Sequence, residues 1–292
     1  MASQAQRLAT NVAGDFYVDS TCIDCGACRW VAPQSFDDSG DYSRVFAQPT
    51  DEAQVLRAEM ALLACPTGSI GTVAKHDLTT ARASFPELLT EDIYYCGYHD
   101  EASFGAASYL ITRPSGNWLI DVPRWTDGIV KGIARLGGIS EIFLTHRDDV
   151  GDHAKYAAHF GADRTIHAGD ARGALKGLEH VIEGDDPIFQ DDEITLIPTP
   201  GHTRGSMCLL WRDVALFTGD HLAWSPSRGH LYAFADACWY DWNAQRKSMA
   251  RLTPYRFQWV LPGHGYPWHG SREAAAESLA RCIAWMGSVR DR

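Results

Sequence analysis

The chain has 292 residues, 45% hydrophobic and 22% charged, with a formal net charge of −11. That is room for one small and one medium domain of a folded globular protein. The acidic balance excludes nucleic acid as a default partner, because phosphate binding needs a basic footprint. No apolar run approaches the roughly 18 residues of a membrane span.

The first residues, MASQAQRLATNVAGDF, lack the apolar stretch of a secretory signal. A reducing location is therefore expected, either cytoplasm or an organelle stroma after processing. Residues 1–72 hold a cysteine cluster and no strong helix–strand alternation. Residues 73–92 are polar, contain a proline, and are expected to connect two domains. From residue 93 the pattern changes. Ala107–Thr112 and Trp118–Asp121 are expected strands around a Pro-Ser-Gly-Asn turn. Trp125–Leu136 has helical spacing and stops at Gly137-Gly138. Glu141–Thr145 is an apolar strand ending at His146, and Asp152–Phe160 a helix stopped by Gly161. Glu193–Pro198, Met207–Trp211, Val214–Thr218 and Phe257–Leu261 are further strands. Asn243–Leu252 and Ser271–Trp285 are helices. Alternating strands and helices define an α/β layered core over 93–292.

Cys22-Ile-Asp-Cys25-Gly-Ala-Cys28 has the spacing C-x2-C-x2-C, and Cys65-Pro66 follows after 36 intervening residues. Thiolates at this spacing wrap an iron–sulfur cubane while backbone N–H groups point at its sulfurs, and Gly26 keeps the wrap clear of a side chain. Zinc sites favour two separated pairs instead. Over residues 14–72 the chain resembles the single-cluster bacterial ferredoxins, a small α+β fold. With no second triplet, Cys22, Cys25, Cys28 and Cys65 are expected to ligate one [4Fe–4S] cluster. Cys96, Cys208, Cys238 and Cys282 are scattered singly and read as small buried hydrophobes.

Four further segments each place His or Asp on a tight turn beyond an apolar strand: Thr145-His146-Arg-Asp148-Asp149-Val-Gly-Asp152-His153, Gly201-His202-Thr-Arg-Gly205, Thr218-Gly219-Asp220 and Pro262-Gly263-His264-Gly265. Imidazole with carboxylate suits zinc, iron or manganese. In this order the four resemble the metallo-β-lactamase superfamily, especially its glyoxalase II-like and flavodiiron branches. The resemblance covers residues 93–292 and implies an αβ/βα sandwich holding one or two Zn or Fe ions. It assigns His146, Asp152, His153, His202, Asp220 and His264 as metal ligands, with Asp220 bridging. The candidate catalytic carboxylates are Asp220 and Asp152. The chain departs from the family's His-x-His-x-Asp-His: Asp148 replaces the second His, and two extra residues precede Asp152-His153. A carboxylate at that position also occurs in the iron-binding flavodiiron branch, so Asp148 is a candidate ligand, with Asp149 as the alternative.

Trp224, Tyr232, Phe234, Trp239, Tyr240 and Trp242, with Arg228 and His230, follow Asp220 and are expected either to line a substrate pocket or to pack the loop down. His221 is either a neighbour supporting the site or a surface residue. The resemblance implies a metal-dependent hydrolase of a small ester-like substrate, thioester or lactone. An alternative is an oxidoreductase whose cluster feeds electrons to iron in the second site, with a redox partner protein. A third reading is a redox sensor or electron-transfer module.

Overall fold

The computed structural model describes residues 2–289. It divides into two compact units. One takes in the described residues up to Ser140 together with Gly151–Ala162, and the other Glu141–Val150 with the described residues from Asp163 onward.

The first unit contains β1 (Phe16–Val18), α1 (Ala27–Val31), β2 (Phe36–Asp38), β3 (Ser43–Val45), α2 (Glu52–Ala64), β4 (Ile70–Thr72), α3 (Thr79–Ala83), β5 (Glu87–Thr90), β6 (Ile93–Tyr95), β7 (Tyr109–Ile111), β8 (Trp118–Ile120), α4 (Asp127–Arg135) and α5 (His153–Phe160). Antiparallel pairing of β1 with β4 sets Val18 opposite Ile70. The register draws the turn before Cys22 against the turn after Cys65: Asp19 N–H donates to the Ser69 carbonyl at 2.9 Å, and the Thr21 and Ser69 hydroxyls lie 2.7 Å apart. Helix α2 is built of good helix formers and capped by Asp51, whose Oδ1 accepts from Gln54 N–H at 2.8 Å. It ends just before Cys65, as expected of a residue preceding proline. Strands β5 to β8 form an antiparallel meander.

Residues 73–92, expected to be a connection, carry α3 and β5. They are short elements whose polar composition hides them, and tertiary bonds hold them. His76 lies 2.7 Å from Glu59 Oε1 through Nδ1 and 2.6 Å from Asp15 Oδ2 through Nε2.

The second unit contains β9 (Glu141–Phe143), β10 (Asp163–His167), β11 (His180–Ile182), β12 (Ile188–Phe189), β13 (Ile194–Pro198), β14 (Met207–Trp211), β15 (Ala215–Gly219), β16 (Ala223–Ser225), β17 (His230–Tyr232), α6 (Trp242–Arg251), β18 (Trp259–Pro262), β19 (Trp268–His269) and α7 (Arg272–Ser288). Strands β9, β10 and β11 run parallel to one another. A six-stranded sheet has the order β12-β13-β14-β15-β18-β19. Every residue of β14 and β15 is buried. Ile197, Leu210, Leu216, Val260, Met249, Leu279 and Met286 form one core beneath α6 and α7, each large side chain contributing about 1.5–3 kcal/mol by leaving water. Cys96, Cys208 and Cys282 are buried free thiols.

Burial pushes the His76 pKa down, but Glu59 and Asp15 outweigh it and hold it above the ordinary histidine value. A raised pKa stabilises fully below the unfolded value of about 6.5 and ceases to do so as pH rises through the folded value. His76→Gln is therefore expected to destabilise more at pH 6 than at pH 9. Guanidinium midpoints of the two proteins at both pH values check this, and an equal loss at both would disprove it.

Candidate cluster pocket and metal centre

Cys22, Cys25, Cys28 and Cys65 line one small cavity with Val18, Ile23 and Ile70. The wrap needs left-handed backbone at Asp24 (φ 60°) and Gly26 (φ 76°). It aims N–H groups at sulfur: Asp24 N–H donates to Cys22 Sγ at 3.4 Å and Ser69 N–H to Cys65 Sγ at 3.2 Å. Gly105 (φ +85°) passes so near that a Cβ on it would fall 2.7 Å from Cys25 Cβ. Burial pushes the Cys25 thiol up to about 12 against the Ala27 N–H that favours thiolate, and burial drives Cys28 higher still. Iron entering the pocket would displace those protons.

The metal-capable side chains of the second unit sit at strand ends for a topological reason. Strands β15 and β18 are parallel, so Asp220 and His264, just past their carboxyl ends, emerge at one edge of the sheet. Strand β14 is antiparallel to both β13 and β15, which puts the β13–β14 loop, and His202 with it, at that same edge. Met207 N–H donates to the Thr145 carbonyl at 2.8 Å and fastens the segment after β9, carrying His146, alongside. Gly219 (φ +47°) permits the close approach, since a Cβ there would meet Thr145 Oγ1 at 2.4 Å.

His146, Asp148 and His202 form one group whose donor atoms all lie within 4.8 Å, and His146, Asp149 and Asp220 form another. His202 Nε2 is 3.5 Å from Asp220 Oδ2 and 3.7 Å from Asp148 Oδ2. His146 Nε2 is 3.8 Å from Asp220 Oδ2 and 3.7 Å from Asp149 Oδ2. His264 Nδ1 is 2.8 Å from Asp220 Oδ1. The imidazoles of His146 and His202 are 1% and 2% exposed, and neither Nε2 has a hydrogen-bond partner among the described residues. A gap of 3.5–3.8 Å is too long for a hydrogen bond, yet it suits two ligands each about 2.0–2.2 Å from a shared ion. The tautomer of His202 agrees: its Nδ1–H donates to the Ala237 carbonyl at 2.6 Å, leaving the Nε2 lone pair for a metal.

The charges favour a cation as well. Asp149 and Asp220 bring carboxylate oxygens within 4.8 Å, a repulsion of about 3–4 kcal/mol at an effective dielectric near 20. Burial pushes the Asp220 carboxyl up, and His264, His146 and His202 outweigh it, holding it well below the usual carboxylate range. Burial pushes His146 down to about 4 despite Asp220, so its ring stays neutral at pH 7. The donor set present therefore fits a divalent ion.

Asp152 and His153 open α5 in the other unit. The Asp152 carboxylate accepts from Trp125 N–H at 3.0 Å and lies 2.6 Å from Lys155 Nζ. His221, adjoining Asp220, is buried with both ring nitrogens unpartnered among the described residues, and burial pushes its pKa down to about 3. The aromatic stretch divides. Trp224 stacks on Trp268 at 6.1 Å, and Tyr232 and Trp242 pack edge-on against Trp285 of α7 at 6.4 and 6.2 Å. His230 is buried, and Arg228 lies 4.5 Å over the Trp285 ring. Trp239, 63% exposed, stands 6.3 Å from the His202 ring.

One supporting residue escapes a reading of the sequence. Asp170, fully buried, accepts from Arg147 N–H, the Thr203 hydroxyl and Gly205 N–H. It thereby ties the His146 loop to the His202 loop. Gly205 is glycine because a Cβ would fall 2.6 Å from Asp170 N. The only signal was a Gly-Asp pair two residues beyond the unrecognised strand β10.

Residues 18–72 match the family model of the 4Fe-4S single cluster domain of ferredoxin I. Hydroxyacylglutathione hydrolases of Salmonella paratyphi A (strain ATCC 9150 / SARB42) and Salmonella newport (strain SL254) are 34% identical over 128 residues, 42% of this chain and 49% of each relative. The chain thus spans about half the length of the curated relatives it matches. Among solved structures, DIM-1 metallo-beta-lactamase superposes with a TM-score of 0.52 at 15% identity, covering 69% of this chain and 96% of that one. VMB-1 gives 0.54 at 18% identity, covering 69% and 95%. These likenesses carry the fold. The chain joins a single-cluster ferredoxin domain to a metallo-β-lactamase fold, as the motifs led us to expect. Domains of these two kinds imply an iron–sulfur cluster and divalent metal ions. No helix of the described residues is long and apolar enough to cross a membrane.

His146 and His221 have folded pKa values below the unfolded 6.5, so the unfolded chain binds more protons as pH falls from about 6.5 toward 4. Metal-stripped protein is expected to lose stability over that interval, by up to about 1.4 kcal/mol per pH unit for each histidine. Denaturant midpoints between pH 7 and 4.5 test this; a flat profile refutes it.

Proposed function

We propose that this chain is a metal-dependent hydrolase acting on an ester-like bond of the thioester or lactone type. The observation that carries the reading is the convergence of His146, His202, Asp220 and His264 with two buried imidazole nitrogens unpartnered. The hydroxyacylglutathione hydrolases that share part of this sequence support it. These residues and Asp148 would hold a divalent ion, which as a Lewis acid would bring the pKa of water toward 7 and polarise a carbonyl oxygen. The chain's own groups do the rest. The Ala237 carbonyl fixes the His202 tautomer. Asp170 holds the two histidine loops in register. Trp239 offers an exposed apolar face beside His202 for a substrate to lie against.

A second reading is favoured by Asp148, a hard oxygen donor grouped with His146 and His202. In it the site holds iron and draws electrons from the cluster bound by Cys22, Cys25, Cys28 and Cys65, so the chain is an oxidoreductase with a redox partner protein.

Metal-loaded full-length protein is expected to cleave at least one class in a panel of thioesters and lactones, and His202→Ala to lower kcat/KM by at least about 100-fold. Failure of the panel defeats the hydrolytic reading. Iron in the second site with reductant-dependent O2 consumption would establish the other, and zinc alone in that site would remove it.

A further inference from the structure

We infer that Asp149 is itself a metal ligand, making the centre a three-carboxylate site in which Asp149 takes the place the family pattern gives to Asp152. The inference rests on the proposed metal centre but not on the hydrolytic chemistry.

Four observations converge on Asp149. It is 2% exposed, so its carboxylate faces the protein interior rather than bulk water. Its Oδ2 lies 3.7 Å from His146 Nε2 and 4.0 Å from His264 Nδ1, beyond hydrogen-bond length but within the span of a shared ion. With His146 and Asp220 it forms a donor group within 4.8 Å, and the imidazole nitrogen of that group, 1% exposed, has no partner among the described residues. The last observation is the cradle. Gly263 has an ordinary backbone φ, so glycine is not needed there for conformation. A Cβ would fall 2.8 Å from Asp149 Oδ2 and 3.1 Å from Asp220 Oδ1, so the missing side chain leaves both carboxylates room to face each other.

Asp152, which the family pattern would place on the metal, has its carboxylate occupied by Trp125 N–H and Lys155. Asp148 is 42% exposed and pairs toward His202, so the two neighbouring aspartates serve different sides of the centre. Asp148 joins the imidazole-rich side with His146 and His202. Asp149 joins the carboxylate-rich side with Asp220 and His264. Hard oxygen donors of this kind suit manganese or iron.

The test uses full-length, cluster-containing protein stripped of other metal and titrated with Mn2+, with free Mn2+ read by EPR. Cluster absorbance and circular dichroism report folding. Asp149→Asn is expected to weaken Mn2+ binding at least tenfold. Gly263→Ala should do the same by crowding both carboxylates, and Asp152→Asn should stay within twofold of the parent. If the parent binds no Mn2+ outside the cluster, both the centre and this assignment fall. If the parent binds and Asp149→Asn and Gly263→Ala bind equally well, or Asp152→Asn weakens binding as much as Asp149→Asn, only the assignment of Asp149 falls.

Discussion

Two buried imidazole nitrogens, on His146 and His202, stand 3.5–3.8 Å from carboxylates they cannot hydrogen-bond. Much of the second unit can be understood as the scaffold that tolerates this arrangement. Buried neutral rings and clustered carboxylates each oppose folding, the first by lost hydration and the second by repulsion. A bound cation turns the combination into a stabilising one, because it takes the lone pairs and cancels the charge together. The parallel pairing of β15 with β18, the glycines at 219 and 263, and the ties to Asp170 are what deliver the donors to one place.

The cysteine pocket obeys the same logic with softer donors. Burial drives Cys25 and Cys28 toward the protonated thiol, while backbone N–H groups of Asp24 and Ser69 are already aimed at the sulfurs of Cys22 and Cys65. The pocket is therefore prepared for a polynuclear, electron-rich ligand rather than for isolated thiols. Donor softness thus separates the two sites within one chain, sulfur for the cluster and nitrogen with oxygen for the second centre.

What was legible in the sequence follows from this. His146, His202, Asp220 and His264 stand directly after apolar runs, and strand ends project rigidly, so a one-dimensional pattern sufficed to group them. The choice among Asp148, Asp149 and Asp152 was not legible, since it depends on how a loop turns between β9 and α5. Asp170 was invisible because its role is to accept hydrogen bonds from backbone 23 and 35 positions away. Helix α2 went unread because propensity and a cap, rather than a sharp apolar stripe, define it. The aromatic stretch was ambiguous for a better reason: it does both things, packing Tyr232 and Trp242 against α7 while leaving Trp239 exposed.

The remaining question is what a cluster contributes to a fold whose relatives hydrolyse. Hydrolysis moves no electrons, so under that reading the cluster must act through structure. The first unit is built for that. The meander residue Gly105 comes within contact of Cys25. The Arg124 guanidinium donates to the Pro66 carbonyl at 2.9 Å, and His99 N–H to the Ala64 carbonyl at 3.1 Å. His99 in turn lies 2.5 Å from Tyr95 Oη through Nε2, on the strand whose neighbours make up the meander. Residues either side of Cys65 are thus bonded into a body that runs to Ser140. Any ligand that binds the folded pocket and not the unfolded chain stabilises all of that body by mass action. Loss of the cluster would then weaken strands β6 and β7 along with the ferredoxin segment.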